Sequence, residues 1–285
     1  MKKLCILLFI LLLLFLGAVL FLFVKYADNT TLQLTTYQIS HKKIPSEFNG
    51  FRIAQVSDLH NAEFGEGNAD LLALLSESDP DIIVFTGDQL DARKTDQEIV
   101  LNLVKQAVQI APCYLVTGNH EGSIIGMREF HNQLEAAGVV FLDNEVTTLS
   151  HNGASIELVG LTDASMSKFH TIIDNKVILE AVLQALDWDH DRYSILLAHN
   201  PGFLYVYERN GIDLALCGHN HGGQIRVNGR GLISASNELF PQYDAGVYTH
   251  KKATMVLSRG SGNSRFPWRI NNPPELVIVE LICQA

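Results

Sequence analysis

The sequence predicts an α/β domain behind a single apolar helix, and three observations carry that expectation. Short apolar runs of strand length alternate with amphipathic segments from residue 32 onward, the pattern of a sheet whose strands are linked by helices. Five of those runs end in a loop bearing aspartate, asparagine or histidine. Ahead of them lies an uncharged stretch from Leu4 to Val24, 21 residues long, and a helix needs roughly 20 apolar residues to cross the hydrocarbon core of a bilayer. Residues 1–28 are therefore expected to be an anchor and residues 29–285 one folded domain.

The flanks of the apolar stretch set its orientation. A cleaved secretory signal has a shorter apolar core and a small-x-small cleavage site. No such site follows Val24, and Cys5 precedes most of the run. The expectation is an uncleaved, single-pass anchor in the cell membrane, with a removed signal as the alternative. Lys2 and Lys3 favour a cytoplasmic N-terminus, which puts the domain on the extracytoplasmic side; Lys25 opposes that bias. The formal net charge of -10, with no Lys/Arg cluster interleaved with aromatics, argues against a nucleic-acid groove. Cys5, Cys113, Cys217 and Cys283 form no CxxC pair and read as isolated small hydrophobes.

Taken in order, Leu32 to Ile39 alternates as a strand, and Phe51 to Val56 is an apolar one that runs into Ser57-Asp58-Leu59-His60. Ala69 to Leu75 is a short helix. Asp81 to Phe85 has the apolar character of a strand buried on both faces and ends in Thr86-Gly87-Asp88-Gln89-Leu90-Asp91. Thr95 with Glu98 predicts a capping box opening a helix through Ile110. The strand Cys113 to Val116 ends in Thr117-Gly118-Asn119-His120-Glu121. Met127 to Ala137 is helical with Gly138 at its C-terminal cap, and Val139 to Leu142 is a strand. Val146 to Leu161 predicts a hairpin turning at Asn152-Gly153. After a helix from Lys176 to Leu186, the strand Tyr193 to Ala198 ends in His199, and Asn200-Pro201 supplies a helix cap and first-turn proline. Gly211 stops that helix. Ile212 to Leu216 leads into Cys217-Gly218-His219-Asn220-His221-Gly222-Gly223-Gln224, and Ala253 to Leu257 and Leu276 to Leu281 are closing strands.

Alternate residues at a strand end share a face, so Asp58 with His60, and His219 with His221, can each point into one cavity. In open α/β sheets, sites form where strands end at their carboxyl edge. Any one of these junctions is equally well an ordinary turn, but five in succession point to a site. Two carboxylates, one amide and four imidazoles exceed the three or four ligands of a mononuclear zinc site, whereas two ions sharing a carboxylate fit. Nitrogen and oxygen donors without thiolate suit Mn²⁺, Fe, Zn²⁺ or Co²⁺, and the choice stays open. Two ions about 3.5–4 Å apart generate hydroxide near neutral pH and clamp the oxygens of an in-line displacement at phosphorus. Phosphoester hydrolysis is the expected reaction.

The ordered set Asp58-x-His60, Gly87-Asp88-x-x-Asp91, Gly118-Asn119-His120-Glu121, His199 and Gly218-His219-x-His221 resembles the calcineurin-like metallophosphoesterases. The resemblance implies a two-sheet β-sandwich flanked by helices, with metals on loops at the strand ends. It assigns Asp58, His60, Asp88 and His221 to one divalent ion and Asp88, Asn119, His199 and His219 to the other. Asp88 would bridge, and a bridging hydroxide would attack. His120 would stabilise or protonate the leaving oxygen, oriented by Asp91. Where the protein-phosphatase branch has an arginine directly after the second aspartate, this chain has Ala92, with Arg93 one residue later. That favours a phosphodiester or pyrophosphate substrate, with a phosphomonoesterase as an alternative.

Gly222-Gly223-Gln224 and the run Asn271 to Glu275 are similar to a membrane-anchored bacterial phosphodiesterase branch that includes enzymes resembling UDP-2,3-diacylglucosamine pyrophosphatases. A lipid-linked substrate would follow from the anchor. The rival from another class is a non-catalytic metal-binding module at the cell surface, which would have no use for an unligated His120. Gly222 and Gly223 are expected to clear space for a phosphate. Asn61, Glu121 and Arg265 are read as solvated loop residues, with contact to substrate or a lock between loops as the alternative. His41, His131, His151, His170, His190 and His250 are read as non-ligands, and Phe203, Leu204, Tyr205 and Tyr207 as core.

Overall fold

The computed structural model describes residues 2–163, 174–235, 237–263 and 266–284. The first element, α1 (Lys2–Tyr26), is a continuous helix whose apolar side chains from Leu4 to Leu22 are exposed. Its segment Lys2–Leu22 is long and apolar enough to cross a membrane.

The rest of the chain runs β1 (Gln33–His41), β2 (Arg52–Val56), α2 (Ala69–Glu77), β3 (Ile82–Thr86), α3 (Gln97–Ala107), β4 (Cys113–Val116), α4 (Asn119–Gly122), α5 (Met127–Ala136) and β5 (Val139–Phe141). It continues through β6 (Val146–His151), β7 (Ala154–Leu161), α6 (Asn175–Ala185), β8 (Ser194–Ala198), α7 (Leu204–Arg209) and β9 (Leu214–Cys217). A small hairpin, β10 (Arg226–Val227) and β11 (Arg230–Gly231), precedes β12 (Gly246–His250), β13 (Ala253–Leu257) and β14 (Glu275–Cys283).

Two six-stranded mixed sheets result, one ordered β1-β14-β2-β3-β4-β5 and the other β12-β13-β9-β8-β7-β6. Strand alternation distributes the apolar side chains over three layers. Ile53, Val84 and Val279 meet Leu158, Leu197 and Leu216 between the sheets. Ala54, Val56, Ile83 and Phe85 turn outward onto Leu71, Leu103 and Leu134 of α2, α3 and α5. Leu196, Ala215 and Met255 pack outward onto Leu179, Leu183, Leu204 and Tyr207 of α6 and α7. The domain is thus a β-sandwich flanked by helices, as the resemblance implies.

Local chemistry accounts for the boundaries. Asn152 (φ 50°) and Gly153 (φ 91°) both take positive φ at the β6–β7 turn, the conformation a two-residue hairpin favours. Asn200 accepts a hydrogen bond from Gly202 N at 2.9 Å, with Pro201 next to it. The predicted Thr95–Glu98 box is not formed. Asp96 is the N-cap and accepts from Glu98 N, while Thr95 Oγ1 donates back to Asp91 O at 3.0 Å. A carboxylate one residue nearer the helix is the stronger acceptor for its orphan N–H groups. Tyr207 and Leu204 are core residues, but Tyr205 is exposed.

Register places the site. Val56 pairs with Phe85, Thr86 with Val116, Leu197 with Leu216, and Leu257 with Cys217. Parallel neighbours in each sheet therefore end level, and the loops after them lie side by side. Gln55 joins the sheets beneath these loops, its Nε2 donating to Thr86 Oγ1 at 3.0 Å and to Cys217 O at 2.9 Å.

Candidate metal centre

The loops after β2, β3, β4, β8 and β9 bring together the residues singled out in the sequence. Among the described residues three groups of donor atoms are close enough to share an ion: Asp58, His60 and His221; Asp88, His199 and His219; and, sharing His60 with the first, His60, Asp91 and His120. Between the first two groups, His60 Nε2 is 3.8 Å from Asp88 Oδ2, and His199 Nε2 is 4.0 Å from Asp58 Oδ1. Within them, His199 Nε2 is 3.1 Å from Asp88 Oδ2 and 3.2 Å from His219 Nδ1, and His221 Nε2 is 3.6 Å from Asp58 Oδ1. Asn119 opens α4 beside them and lines the same cavity, of about 470 Å³, with Asp88, His120, His219 and His221. Gln224, Ile233, Ser234, Ala235, Asn237 and Phe266 form the rest of its wall.

The backbone is bent to aim these groups. Asp58 (φ 50°), His60 (φ 47°), Asp88 (φ 53°), His219 (φ 78°) and His221 (φ 48°) all occupy the left-handed region, at a cost of about 1–3 kcal/mol each for side chains of this kind. Hydrogen bonds between neighbouring loops impose it. His60 N donates to Asp88 O at 3.0 Å, Asp58 N to Gly87 O at 3.1 Å, and Gly262 N to Asp58 O at 2.7 Å. Asp58 holds the other sheet's loop, accepting from His219 N at 3.0 Å, and Asp88 Oδ1 accepts from His120 N at 2.8 Å.

Electrostatics separate the imidazoles. Burial disfavours charge on His199, but the adjacent Asp88 and then Asp58 outweigh it and hold its pKa well above the usual value. The point where Nε2 meets two carboxylates thus favours positive charge. Burial pushes His60 and His219 down to about 4, and His221 well below its ordinary value, which leaves them neutral with a lone pair to offer. Burial opposes ionisation of Asp88, yet His199 and His60 hold it below the usual carboxylate range.

The residues fit metal ions. His60 Nδ1, His60 Nε2 and Asn119 Oδ1 are buried with no hydrogen-bond partner, a loss of about 1–3 kcal/mol for each group so left. Coordination would satisfy Asn119 Oδ1 and one nitrogen of His60. His199 Nδ1 donates to Thr86 O at 2.9 Å, which fixes the tautomer that frees Nε2.

His120 is half-buried at the cavity wall. Its Nδ1 accepts from Ala92 N at 3.1 Å, so Nε2 carries the proton of the neutral ring. Asp91 Oδ1 stands 3.6 Å from Nδ1. The Asp91 carboxylate is gripped by Arg93, with Nη2 at 2.7 Å and Nε at 3.1 Å.

Two expectations need correction. Glu121 is not a solvated loop residue but is buried, because its carboxylate accepts from Asp88 N, Gly118 N and Leu90 N, each at 2.9 Å. Asn61 likewise ties loops, its Nδ2 donating to Lys94 O at 2.6 Å. Gly222 and Gly223 do not clear space for a ligand. A Cβ on Gly222 would strike the Asn272 side chain and Arg259, and one on Gly223 would strike the backbone of Gly231. Arg265 and His170 lie outside the described residues.

Three residues were missed. Arg269 is fully buried, with Nη2 3.4 Å from His221 Nδ1 and Nε donating to Gly262 O at 3.2 Å. Asn272 Nδ2 donates to His221 O at 2.7 Å and Gln224 O at 3.2 Å; the run Asn271 to Glu275 contained it without stating its task. Asp163 is buried, its N donates to Thr117 O, and its charge acts on His199 and His219. Its signal was available, since β7 runs parallel to β8 and ends at the same edge.

Comparison with known proteins yields concordant matches. The profile of the calcineurin-like phosphoesterases matches residues 51–223. The uncharacterized metallophosphoesterase YkuE of Bacillus subtilis is 29% identical over 265 residues, covering 91% of this chain and 88% of its own. Phosphodiesterase YaeI of Escherichia coli is 30% identical over 238 residues, covering 81% and 82%. A transmembrane protein with metallophosphoesterase domain from Bos taurus is 28% identical over 263 residues, covering 88% of this chain and 57% of its own. The crystal structure of TT1561 of Thermus thermophilus shares the fold, with a TM-score of 0.50 at 12% identity over 74% of this chain and 90% of that one.

Proposed function

The chain belongs to the calcineurin-like phosphoesterases, a family of metal-dependent hydrolases, and on that premise we propose that it is a membrane-anchored, dinuclear phosphodiesterase or pyrophosphatase. The observation that carries the reading is the pair of donor groups, Asp58-His60-His221 and Asp88-His199-His219, meeting across Asp88. Asp58, His60, Asp88 and His221 would hold one divalent ion, and Asp88, Asn119, His199 and His219 the second. Bound there, two such ions supply Lewis-acid polarisation of a phosphoryl oxygen and a lowered pKa for water.

The protein's own groups do the rest. Thr86 O fixes the His199 ring, and Asp58 fixes the His219 backbone, so the donors are preorganised. Ala92 N turns the Nε2–H of His120 toward the cavity it lines, where it donates to an oxygen that gains charge as the ester bond breaks. Because Arg93 is engaged by Asp91, it does not offer the arginine anchor expected for a terminal phosphate. That favours a diester or pyrophosphate, in keeping with the name of the Escherichia coli relative. The helix Lys2–Leu22, long and apolar enough to cross a membrane, would anchor the domain, and Lys2 and Lys3, against Lys25, favour its extracytoplasmic side.

Purified protein loaded with Mn²⁺ is expected to hydrolyse bis-p-nitrophenyl phosphate. Asp88→Asn should abolish turnover with the circular dichroism spectrum unchanged, and His120→Ala should lose about 10²–10⁴-fold with both ions retained. Undiminished turnover in Asp88→Asn overturns the dinuclear reading. Two bound ions with no hydrolysis would instead identify a metal-binding module.

A further inference from the structure

The wall of the cavity opposite the metal ligands comes from two loops, one carrying Ile233, Ser234, Ala235 and Asn237, the other Phe266. These loops also expose apolar side chains: Leu239 (67% exposed), Phe240 (57%) and Trp268 (44%), with Val227 (53%) on the adjoining hairpin. They are stitched together, since Arg226 N donates to Ile270 O at 2.9 Å and Phe240 N to Leu232 O at 2.8 Å. The chain leaving α1 joins the same structure. Ala27 bridges Ile270, Asp28 N donates to Arg269 O at 2.9 Å, and Asn29 Nδ2 donates to Pro267 O at 2.7 Å. The exit of the apolar helix is therefore hydrogen-bonded to the segment that bears Trp268 and forms part of the cavity wall.

We propose that Trp268, Leu239, Phe240 and Val227 form a rim that seats in the interface of the bilayer holding α1, so that the active-site cavity opens at headgroup depth. The proposal rests on the anchored reading of α1. With α1 in the bilayer, the residues hydrogen-bonded to its exit lie within a few ångströms of the membrane surface, and exposed aromatic and aliphatic side chains there gain by insertion. Tryptophan favours this zone because one end is apolar and the other polar. A net charge of -10 gives no general attraction to anionic lipid, so apolar burial must supply the contact. The class of substrate that such a rim serves is a phosphoester whose apolar tail stays in the same leaflet.

The chain has two tryptophans, and Trp188 is buried at 7% exposure against α6 and α7, so lipid-sensitive fluorescence reports on Trp268. The full chain, loaded with Mn²⁺ and reconstituted in phosphatidylcholine vesicles, should lose tryptophan emission when the lipids carry bromines high on the acyl chains, and Trp268→Phe should remove that loss. Leu239→Asp with Phe240→Asp should leave hydrolysis of soluble bis-p-nitrophenyl phosphate unchanged. The same pair should lower hydrolysis of vesicle-held phosphatidyl-p-nitrophenol about ten-fold or more. Quenching by aqueous acrylamide but not by brominated lipid overturns the rim, as does a Trp268 shielded from both quenchers, which would mean that a second copy of the chain covers it. If the parent protein hydrolyses neither ester, the proposed function fails while the quenching still decides the rim.

Discussion

The Glu121 carboxylate accepts three backbone N–H groups, from Asp88 and Gly118 through Oε2 and from Leu90 through Oε1. One side chain on α4 thus fixes the turn that presents Asp88 to His199 and His60. Ordinary surface glutamates do not take this role, and burial followed by the charge of Asp88 pushes its pKa up to about 7. Glutamine is nearly isosteric but has only one oxygen, so at least one of the three N–H groups would face an amide NH₂ instead of an acceptor. Glu121→Gln is expected to cost about 1–3 kcal/mol of stability and to weaken metal binding about 10–100-fold, the usual effect of losing a group that orients a ligand. Urea denaturation of the metal-free protein reads the first, and calorimetric metal titration the second. Unchanged metal affinity would show that the Asp88 turn holds itself.

At the scale of elements, the two glycines after His221 are explained by what packs on them. Gly222 and Gly223 take positive φ at 61° and 74°, which lets the Asn272 side chain lie against the turn and tie His221 O to Gln224 O. Asn272→Ala would remove one of two donors from each of two carbonyls of this turn, leaving Gln224 N on His221 O and Ile270 N on Gln224 O. The His221 half-site should loosen first, so bound metal measured by plasma emission should fall from two ions toward one while the fold persists. Two ions retained with unchanged affinity would make Asn272 a spectator.

The same contrast shows what was legible in the sequence. Strand ends bearing Asp58, Asp88, His199 and His219 announce themselves because apolar runs stop abruptly at polar residues, and the paralleled registers of β2 with β3 and β8 with β9 then bring them level. The β6–β7 hairpin was equally readable from Asn152-Gly153. The residues that brace the ligands were not. Arg269, Asn272 and Glu121 act through contacts between segments distant in the chain, and an arginine or amide in a loop looks the same whether it is solvated or buried. The cap of α3 shifted from Thr95 to Asp96 for a related reason: two adjacent acceptors compete for one helix start, and only the turn at Asp91 decides between them.

For the molecule as a whole, the centre lies on the seam between two sheets that also meet through apolar side chains, the Gln55 bridge and polar contacts such as Asp163 N to Thr117 O. Asp58, His60, Asp88 and Asn119 follow strands of one sheet, and His199, His219 and His221 follow strands of the other. An ion held by residues from both sheets binds only when the sandwich is closed, so its binding energy adds to folding stability. At free metal 100-fold above its dissociation constant, the gain is about 2.7 kcal/mol, which for a domain of this size corresponds to a shift in Tm of about 5–10 °C. Chelation should therefore lower Tm by that amount, with lost amide protection concentrated in the loops after β2, β3, β8 and β9. His60→Ala and His219→Ala, drawn from opposite sheets, should each abolish most of the shift. Chelation that leaves Tm unchanged, in a protein shown to have bound metal, would mean that the seam is held closed by its apolar core and that the ions contribute nothing to joining the sheets.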